Sequence, residues 1–218
     1  MLWIQQLHSA NWSLAGWICL SAYFLGCFTT GYYLVRVRTG QDPRDLGSGS
    51  VGAKNVGRVL GWSGFLVTLL GDFGKGAFAI WAARHFTTDQ RLVSLAMLAV
   101  VAGHVWPAQL RFHGGKGVAT SLGALLVYDY HLALAFAILF AGGFAMLRRT
   151  VLPGLFGFVC LPLVSSYLTE PTKDPSQVVG ISILAALVLV AHRKNLMDEI
   201  SHLVEQPDIQ PKHNQPKL

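Results

Sequence analysis

The stretch GVATSLGALLVYDYHLALAFAILFAGGFAMLRR, residues 117–149, decides the topology of this chain. It is apolar over most of its length and broken once, by Asp129-Tyr130-His131. It therefore reads either as one over-long helix or as a short helix, 117–128, turning into a second, 131–147. Charge chooses between them. With two crossings, the Arg148-Arg149 pair falls on the same side of a membrane as the other basic loops; with one, the pair moves and every later segment reverses.

Working outward, candidate spans lie at 12–35, 59–83, 92–109, 117–128, 131–147, 151–168 and 177–191. Most reach the roughly 20 residues that a 30 Å hydrocarbon core requires. The inner segments then hold Arg36, Arg38, Arg44, Lys54, Arg58, Arg111, Lys116, Arg148, Arg149, Arg193, Lys194, Lys212 and Lys217. The outer ones hold only Arg84, Arg91 and Lys173, and Lys75 lies within a span. This positive-inside bias predicts an all-α, polytopic membrane helical bundle of seven transmembrane helices, N-terminus out and C-terminus in.

Composition agrees. Of 218 residues, 52% are hydrophobic and 13% charged, against about 25% charged in soluble domains. The net charge of +6 is compatible with acidic lipid or an anionic substrate, but in a membrane protein such cations first set topology. Cys19, Cys27 and Cys160 lie in apolar runs without metal or redox spacing and read as small core residues. The first run has neither a basic flank before it nor a cleavage site after it, so it is expected to stay in the membrane. Residues 1–205 read as one domain without repeats, and the proline-punctuated segment 206–218 as a disordered tail. Ile200, Leu203 and Val204 follow helical spacing and predict a short amphipathic continuation of the last helix.

Three unusual segments fall on the inner side: GSGSVGAKNVGR (47–58), GHVWPAQLRFHGGKGVATSLG (103–123) and HRKN (192–195). In the second, Gly114-Gly115-Lys116-Gly117 leads through Val118, Ala119 and Thr120 into a helix. Glycines let successive N–H groups converge, a helix start adds its positive end, and lysine supplies a point charge, so phosphate is the natural guest. Glycine follows Gly-Lys where a Walker A loop has serine or threonine, so no nucleotide is implied. The first segment repeats the ingredients, with Ser48, Gly49, Gly52, Lys54 and Asn55 before Arg58, whose guanidinium can grip phosphate in bidentate fashion. Two such loops point to two phosphates. In the third, Asn195 follows His192 by one helical turn. Each cation also has a plainer reading as a topology charge, and each glycine as a helix cap. Asp72 and Lys75, three apart within a span, read as an intrahelical ion pair with a supporting role. His104, His113 and His131 share no ligand spacing, and neither metal nor cofactor is expected.

In order and spacing the three segments resemble the motifs of the PlsY family, acyl-phosphate:glycerol-3-phosphate acyltransferases of bacterial inner membranes. GDFGKGA (71–77) is similar to that family as well, and the resemblance runs from about residue 20 to 200. It implies a seven-helix bundle with a cytoplasmic site and no covalent acyl-enzyme. The implied reaction moves a fatty acyl group from acyl phosphate to the 1-hydroxyl of glycerol 3-phosphate. The products are lysophosphatidic acid and phosphate, in the first step of phospholipid synthesis. Ser48, Arg58 and Asn55 match the first motif, Lys116 with Gly114, Gly115 and Gly117 the second, and His192 and Asn195 the third.

The resemblance thus assigns Ser48, Arg58, Lys116, His192 and Asn195 to catalysis. The substrate phosphates are expected on Gly49, Gly52, Lys54, Asn55, Gly114, Gly115, Gly117 and Thr120. His192 and a substrate phosphate oxygen both stand as the proton acceptor. The partners expected are glycerol 3-phosphate, acyl phosphate and membrane lipids, with the chain a monomer. Several positions depart from the family pattern: Lys54 stands where threonine is usual, Thr150 follows Arg149 in the loop where a serine is frequent, and the third motif continues to Leu203-Val204-Glu205. The alternatives are an anion or lipid-precursor transporter, or a low-activity paralogue that binds lipid phosphate.

Overall fold

The computed structural model describes residues 11–168 and 175–197, and all regular structure among them is helical. Helices α1 (Trp12–Cys27) and α2 (Thr30–Thr39) are followed by α3 (Ala53–Phe86), α4 (Gln90–Val105), α5 (Val118–Tyr128), α6 (Tyr130–Leu147), α7 (Val151–Leu168) and α8 (Ser176–Ala191). Single 3₁₀ turns occupy Pro43–Asp45 and Ala108–Leu110. Residues 193–197 are again helical. The amphipathic stretch expected at Ile200, Leu203 and Val204 and the tail 206–218 lie outside the described residues.

Local chemistry sets the breaks. Asn11 Oδ1 accepts from the Leu14 N–H at 3.1 Å, and Asp89 Oδ1 from the Arg91 N–H at 2.9 Å, so both side chains cap helix starts. Asp129 divides the stretch 117–149: its own N–H closes α5 on the Leu125 carbonyl at 2.8 Å, while its Oδ1 accepts from the His131 N–H at 3.0 Å and opens α6. The short-helix reading of that stretch is the one the chain adopts.

Among the described residues, five stretches are long and apolar enough to cross a membrane: Trp12–Thr39, Ala53–Phe86, Gln90–Leu110, Tyr130–Leu147 and Val151–Leu168. Val118–Tyr128 and Ser176–Ala191 are apolar but shorter. Hydrogen bonds at the helix ends sort the connections into two ends. At one, Arg44 Nη1 donates to the Leu110 carbonyl at 2.9 Å and Lys54 Nζ to Thr150 Oγ1 at 2.9 Å. At the other, Arg84 Nη2 donates to the Tyr128 carbonyl at 2.7 Å and Gln177 Nε2 to Asp129 Oδ2 at 3.0 Å. The basic loops grouped by charge thus gather at the first end.

Lipid offers no hydrophobic drive for helix association, so close backbone packing has to supply it. On α3 and α5 a Cβ at Gly76 would run into the Thr120 carbonyl, and one at Gly123 into the Phe73 carbonyl. Only hydrogen fits at either position. Gly26 and Gly103 make the same reciprocal arrangement between α1 and α4. Helix α6 lies at the periphery, with Leu132 and Phe136 its only buried residues. Helix α5 has 11 residues and rises about 16 Å, half a hydrocarbon core. Alone it falls short of a full crossing, and Tyr128 lies at the far end.

Helix α3 is sharply broken at Gly61, whose φ of 74° and ψ of −165° belong to a region essentially reserved for glycine. The first two turns, which carry Asn55 and Arg58, are thereby set off from the long spanning part. A Cβ at Gly61 would meet nothing within 4 Å, so the cost of a side chain there is purely conformational. Gly61→Ala is expected to destabilise the protein by about 1–3 kcal/mol, lowering its thermal midpoint in detergent. Gly74→Ala, at a helical position with equally open surroundings, should leave it unchanged. Equal midpoints for the two variants would contradict this description of the break.

Candidate active site

The first loop is built around Asn55, which is 1% exposed. Its Oδ1 accepts from the Ser48 N–H at 2.8 Å, and its Nδ2 donates to the carbonyls of Pro43, Leu46 and Ser50 at 3.2, 2.9 and 2.8 Å. The amide is therefore spent on the loop's own backbone. Gly47 presses against that amide with φ of 57°, where a side chain would collide with Oδ1. Asn55, expected on a substrate phosphate, shapes the loop that presents Ser48. Arg44 fastens this loop to the next: besides its bond to Leu110, Nη2 lies 2.6 Å from Asp42 Oδ2, and the guanidinium lies 5.5 Å from the centre of the Tyr32 ring. Hydrogen bonding from Arg44 holds the Asp42 carboxyl below its ordinary range.

The second loop folds back on the end of α4. The Gly114 N–H donates to the Val105 carbonyl and the Gly115 N–H to the His104 carbonyl, both at 3.0 Å. Gly117, with φ of 82°, then turns the chain into α5. Lys116 projects between these glycines from a half-buried position.

The third segment leaves α8 at His192, which is 6% exposed. Its Nδ1 lies 2.8 Å from the Val188 carbonyl, one turn back. A carbonyl can only accept, so Nδ1 carries the proton and in the neutral ring Nε2 keeps its lone pair. Burial pushes the His192 pKa below its ordinary value; the bond to Val188 opposes this, and the neighbouring Lys116 ammonium reinforces it.

All three segments meet in one cavity of about 1330 Å³. Ser48, Arg58, Lys116, His192 and Asn195 line it together, as do Gly49, Gly52, Lys54, Asn55, Gly114, Gly115 and Gly117. Thr120 is not brought there. It is fully buried where α5 crosses α3, its carbonyl against Gly76, and its hydroxyl has no hydrogen-bond partner among the described residues. Lys54 and Thr150, two of the positions that depart from the family pattern, are bonded to each other across the cavity mouth at 2.9 Å.

Part of the lining escaped sequence reasoning. Phe65 and Leu69 of α3, Leu122 of α5, Phe136 and Phe140 of α6 and Leu155 of α7 form an apolar wall continuous with the charged one. Nothing in their spacing separates them from lipid-facing neighbours. Gln109 also lines the cavity and donates through Nε2 to the Cys27 carbonyl at 2.5 Å, and Asp72 and His104 reach its floor.

A membrane protein whose cavity sets cations beside a wall of phenylalanines and leucines is the class this geometry defines. The sequence pattern of the glycerol-3-phosphate acyltransferase family matches residues 16–202, and the chain belongs to that family. It is 44% identical over 182 residues to glycerol-3-phosphate acyltransferase 1 of Desulfitobacterium hafniense (strain Y51), covering 84% of this chain and 89% of that relative. It is 38% identical over 184 residues to glycerol-3-phosphate acyltransferase of Clostridioides difficile (strain 630), covering 82% and 88%. The fold matches the crystal structure of PlsY (YgiH), an integral membrane glycerol 3-phosphate acyltransferase, in its glycerol 3-phosphate form. The TM-score is 0.78 at 30% identity, over 86% of this chain and 92% of that one. The lysophosphatidic acid form of the same enzyme matches with a TM-score of 0.75 at 28% identity, over 86% and 92%.

The depressed pKa of His192 has a sign that can be checked. The unfolded chain binds the proton more readily than the folded one, so the contribution of His192 to stability is complete above its unfolded value of about 6.5 and declines as pH falls below it. An NMR titration of the ring should give a midpoint below 6.5. A midpoint above it would contradict the buried, Val188-bonded geometry.

Proposed function

We propose that the cavity transfers a fatty acyl group from acyl phosphate to the 1-hydroxyl of glycerol 3-phosphate. The chain is an acyltransferase acting on glycerol 3-phosphate. The observation that carries the residue assignment is the convergence of Ser48, Arg58, Lys116, His192 and Asn195 on one cavity that also has an apolar wall.

Acyl phosphate is a mixed anhydride and is already activated. The hydroxyl oxygen attacks the acyl carbon, an ester C–O bond forms, and the anhydride C–O bond breaks to release inorganic phosphate and lysophosphatidic acid. The protein's task is to place two anions side by side and to stabilise charge on the departing phosphate. Arg58 and Lys116 neutralise phosphate, with Gly114, Gly115 and Gly117 shaping the loop around it. Ser48 and Asn195 orient the hydroxyl and the reacting carbonyl. The Nε2 lone pair of His192, left open by the bond from Nδ1 to Val188, supports this ring as acceptor of the hydroxyl proton, relayed to the leaving phosphate. The acyl chain runs along Phe65, Phe136 and Phe140.

The reading includes seven crossings, the N-terminus outside, and the basic end with its cavity on the cytoplasmic side of a bacterial inner membrane. The gathering of Arg44, Arg58, Arg111, Lys116 and Arg193 at that end supports this orientation. The reading takes the unit as a monomer, with which a site lined by residues of one chain is compatible. Family membership favours an enzyme over an anion carrier.

Purified protein given radiolabelled glycerol 3-phosphate and, in parallel, acyl phosphate, acyl-CoA or acyl carrier protein should form lysolipid from acyl phosphate alone. Equal product from acyl-CoA would overturn the donor. Lys116→Ala should raise KM for glycerol 3-phosphate about 10- to 100-fold, the loss of a charge-assisted hydrogen bond. Arg58→Lys should be nearly as damaging as Arg58→Ala, because an ammonium cannot reproduce the bidentate fork. Full activity in Arg58→Lys would reduce Arg58 to a topology charge.

A further inference from the structure

Beneath the Gly114–Gly117 loop lies a buried polar cluster that the acyl-transfer chemistry leaves unused. Asp72, Lys75 and His104 are 2%, 7% and 3% exposed. The Lys75 ammonium has one acceptor for each of its three protons: the Phe28 carbonyl at 2.7 Å, Asp72 Oδ1 at 2.9 Å and His104 Nδ1 at 2.8 Å. Asp72 Oδ1 also accepts from the Thr30 N–H at 3.3 Å. One cation therefore ties the end of α1, the start of α2, the middle of α3 and the end of α4. An ammonium only donates, so Nδ1 of His104 is the acceptor and the ring proton sits on Nε2.

His104 in turn holds the loop. Its carbonyl accepts the Gly115 N–H, and its ring edge at Nε2 occupies the space that a Gly115 side chain would need. Gly114 is laid against the same carbonyl and the Pro107 ring. The residue preceding Lys116 is thus gripped from two directions by one histidine. An ion pair serving helix packing alone would need Asp72 and Lys75; the third bond of Lys75 is the one that reaches the loop.

We propose that Lys75 and His104 are positioning residues: Lys75 fixes the His104 ring, and the ring sets the height of the glycine loop so that Lys116 meets a phosphate monoester in the cavity. The proposal rests on the reading that this loop holds substrate phosphate. That phosphate could come from glycerol 3-phosphate or from the acyl donor, and glycerol 3-phosphate is the source assigned here.

Full-length protein in lipid nanodiscs provides the test, with affinity for glycerol 3-phosphate measured by calorimetry and KM measured separately for both substrates. Asp72→Asn/Lys75→Met removes both charges and leaves neither unpaired. It is expected to raise Kd and KM for glycerol 3-phosphate about tenfold or more while KM for acyl phosphate changes less than about threefold. Gly115→Ala should raise the same Kd, and adding His104→Ala should relieve the collision. The double variant should then be no worse than His104→Ala alone, a coupling that independent effects cannot produce.

A folded charge-free variant with wild-type Kd would overturn the positioning role, as would strictly additive effects at 104 and 115. So would a fall in kcat with both KM values rising together, since that is the sign of a general packing defect. A rise confined to KM for acyl phosphate would overturn the choice of source. Should the charge-free variant fail to fold, the 104–115 cycle decides. Wild-type turnover tests the acyltransferase reading separately: protein that binds glycerol 3-phosphate without turnover refutes that reading and still reports the positioning role through Kd, whereas wild type that does not bind refutes both.

Discussion

A cation inside a hydrocarbon slab must find its partners within the protein, and the ammonium of Lys75 imposes that constraint on half of this fold. An unpaired lysine at the centre of a spanning helix costs about 2.5–3.5 kcal/mol on insertion scales. Here the charge is met by a carbonyl from α1, a carboxylate one turn earlier on its own helix and an imidazole from α4. The partners at the ends of α1 and α4 draw those helices toward α3. The helix ends that carry the site loops are consequently fixed at one depth, and the glycine contacts of Gly76 and Gly123 bring α5 against the same helix.

The two glycine-rich loops reach similar ends by different means. The first is organised from within by the Asn55 amide, and its glycines permit positive φ where the backbone wraps that side chain. The second is laid on the end of α4 by two backbone hydrogen bonds. This loop lines the cavity together with the phenylalanines that continue it. The Lys54–Thr150 bond crosses the mouth of the same cavity and joins the first turn of α3 to the loop before α7.

Much of this was legible in the residues. The Asp129 interruption marked a real helix boundary because a short acidic side chain between apolar runs caps the next helix as it ends the last. The three polar segments were found together because positive charge sorts loops to one end, and that end is where they meet. Asn55 and Thr120 show where such reading stops. A polar amide in a glycine loop looks alike whether it faces a ligand or the loop's own carbonyls, and only backbone geometry separates the two. Thr120 follows a loop that lines the cavity, but the helical turn carries it to the opposite side, against Gly76. The bond between Lys75 and His104 joins residues 29 apart in sequence on different helices, and no periodicity announces it.

The most direct measurement is a structure of the protein with glycerol 3-phosphate bound, in which the phosphorus can be located. The expected position is in the cavity between the Gly114–Gly117 loop and Arg58, with Lys116 Nζ and the guanidinium within hydrogen-bonding reach of phosphate oxygens and His192 Nε2 facing the glycerol hydroxyls. Density for the phosphate at the far end, near Arg84 and Asp129, or in the cavity but out of reach of both Lys116 and Arg58, would contradict the assignment of this site.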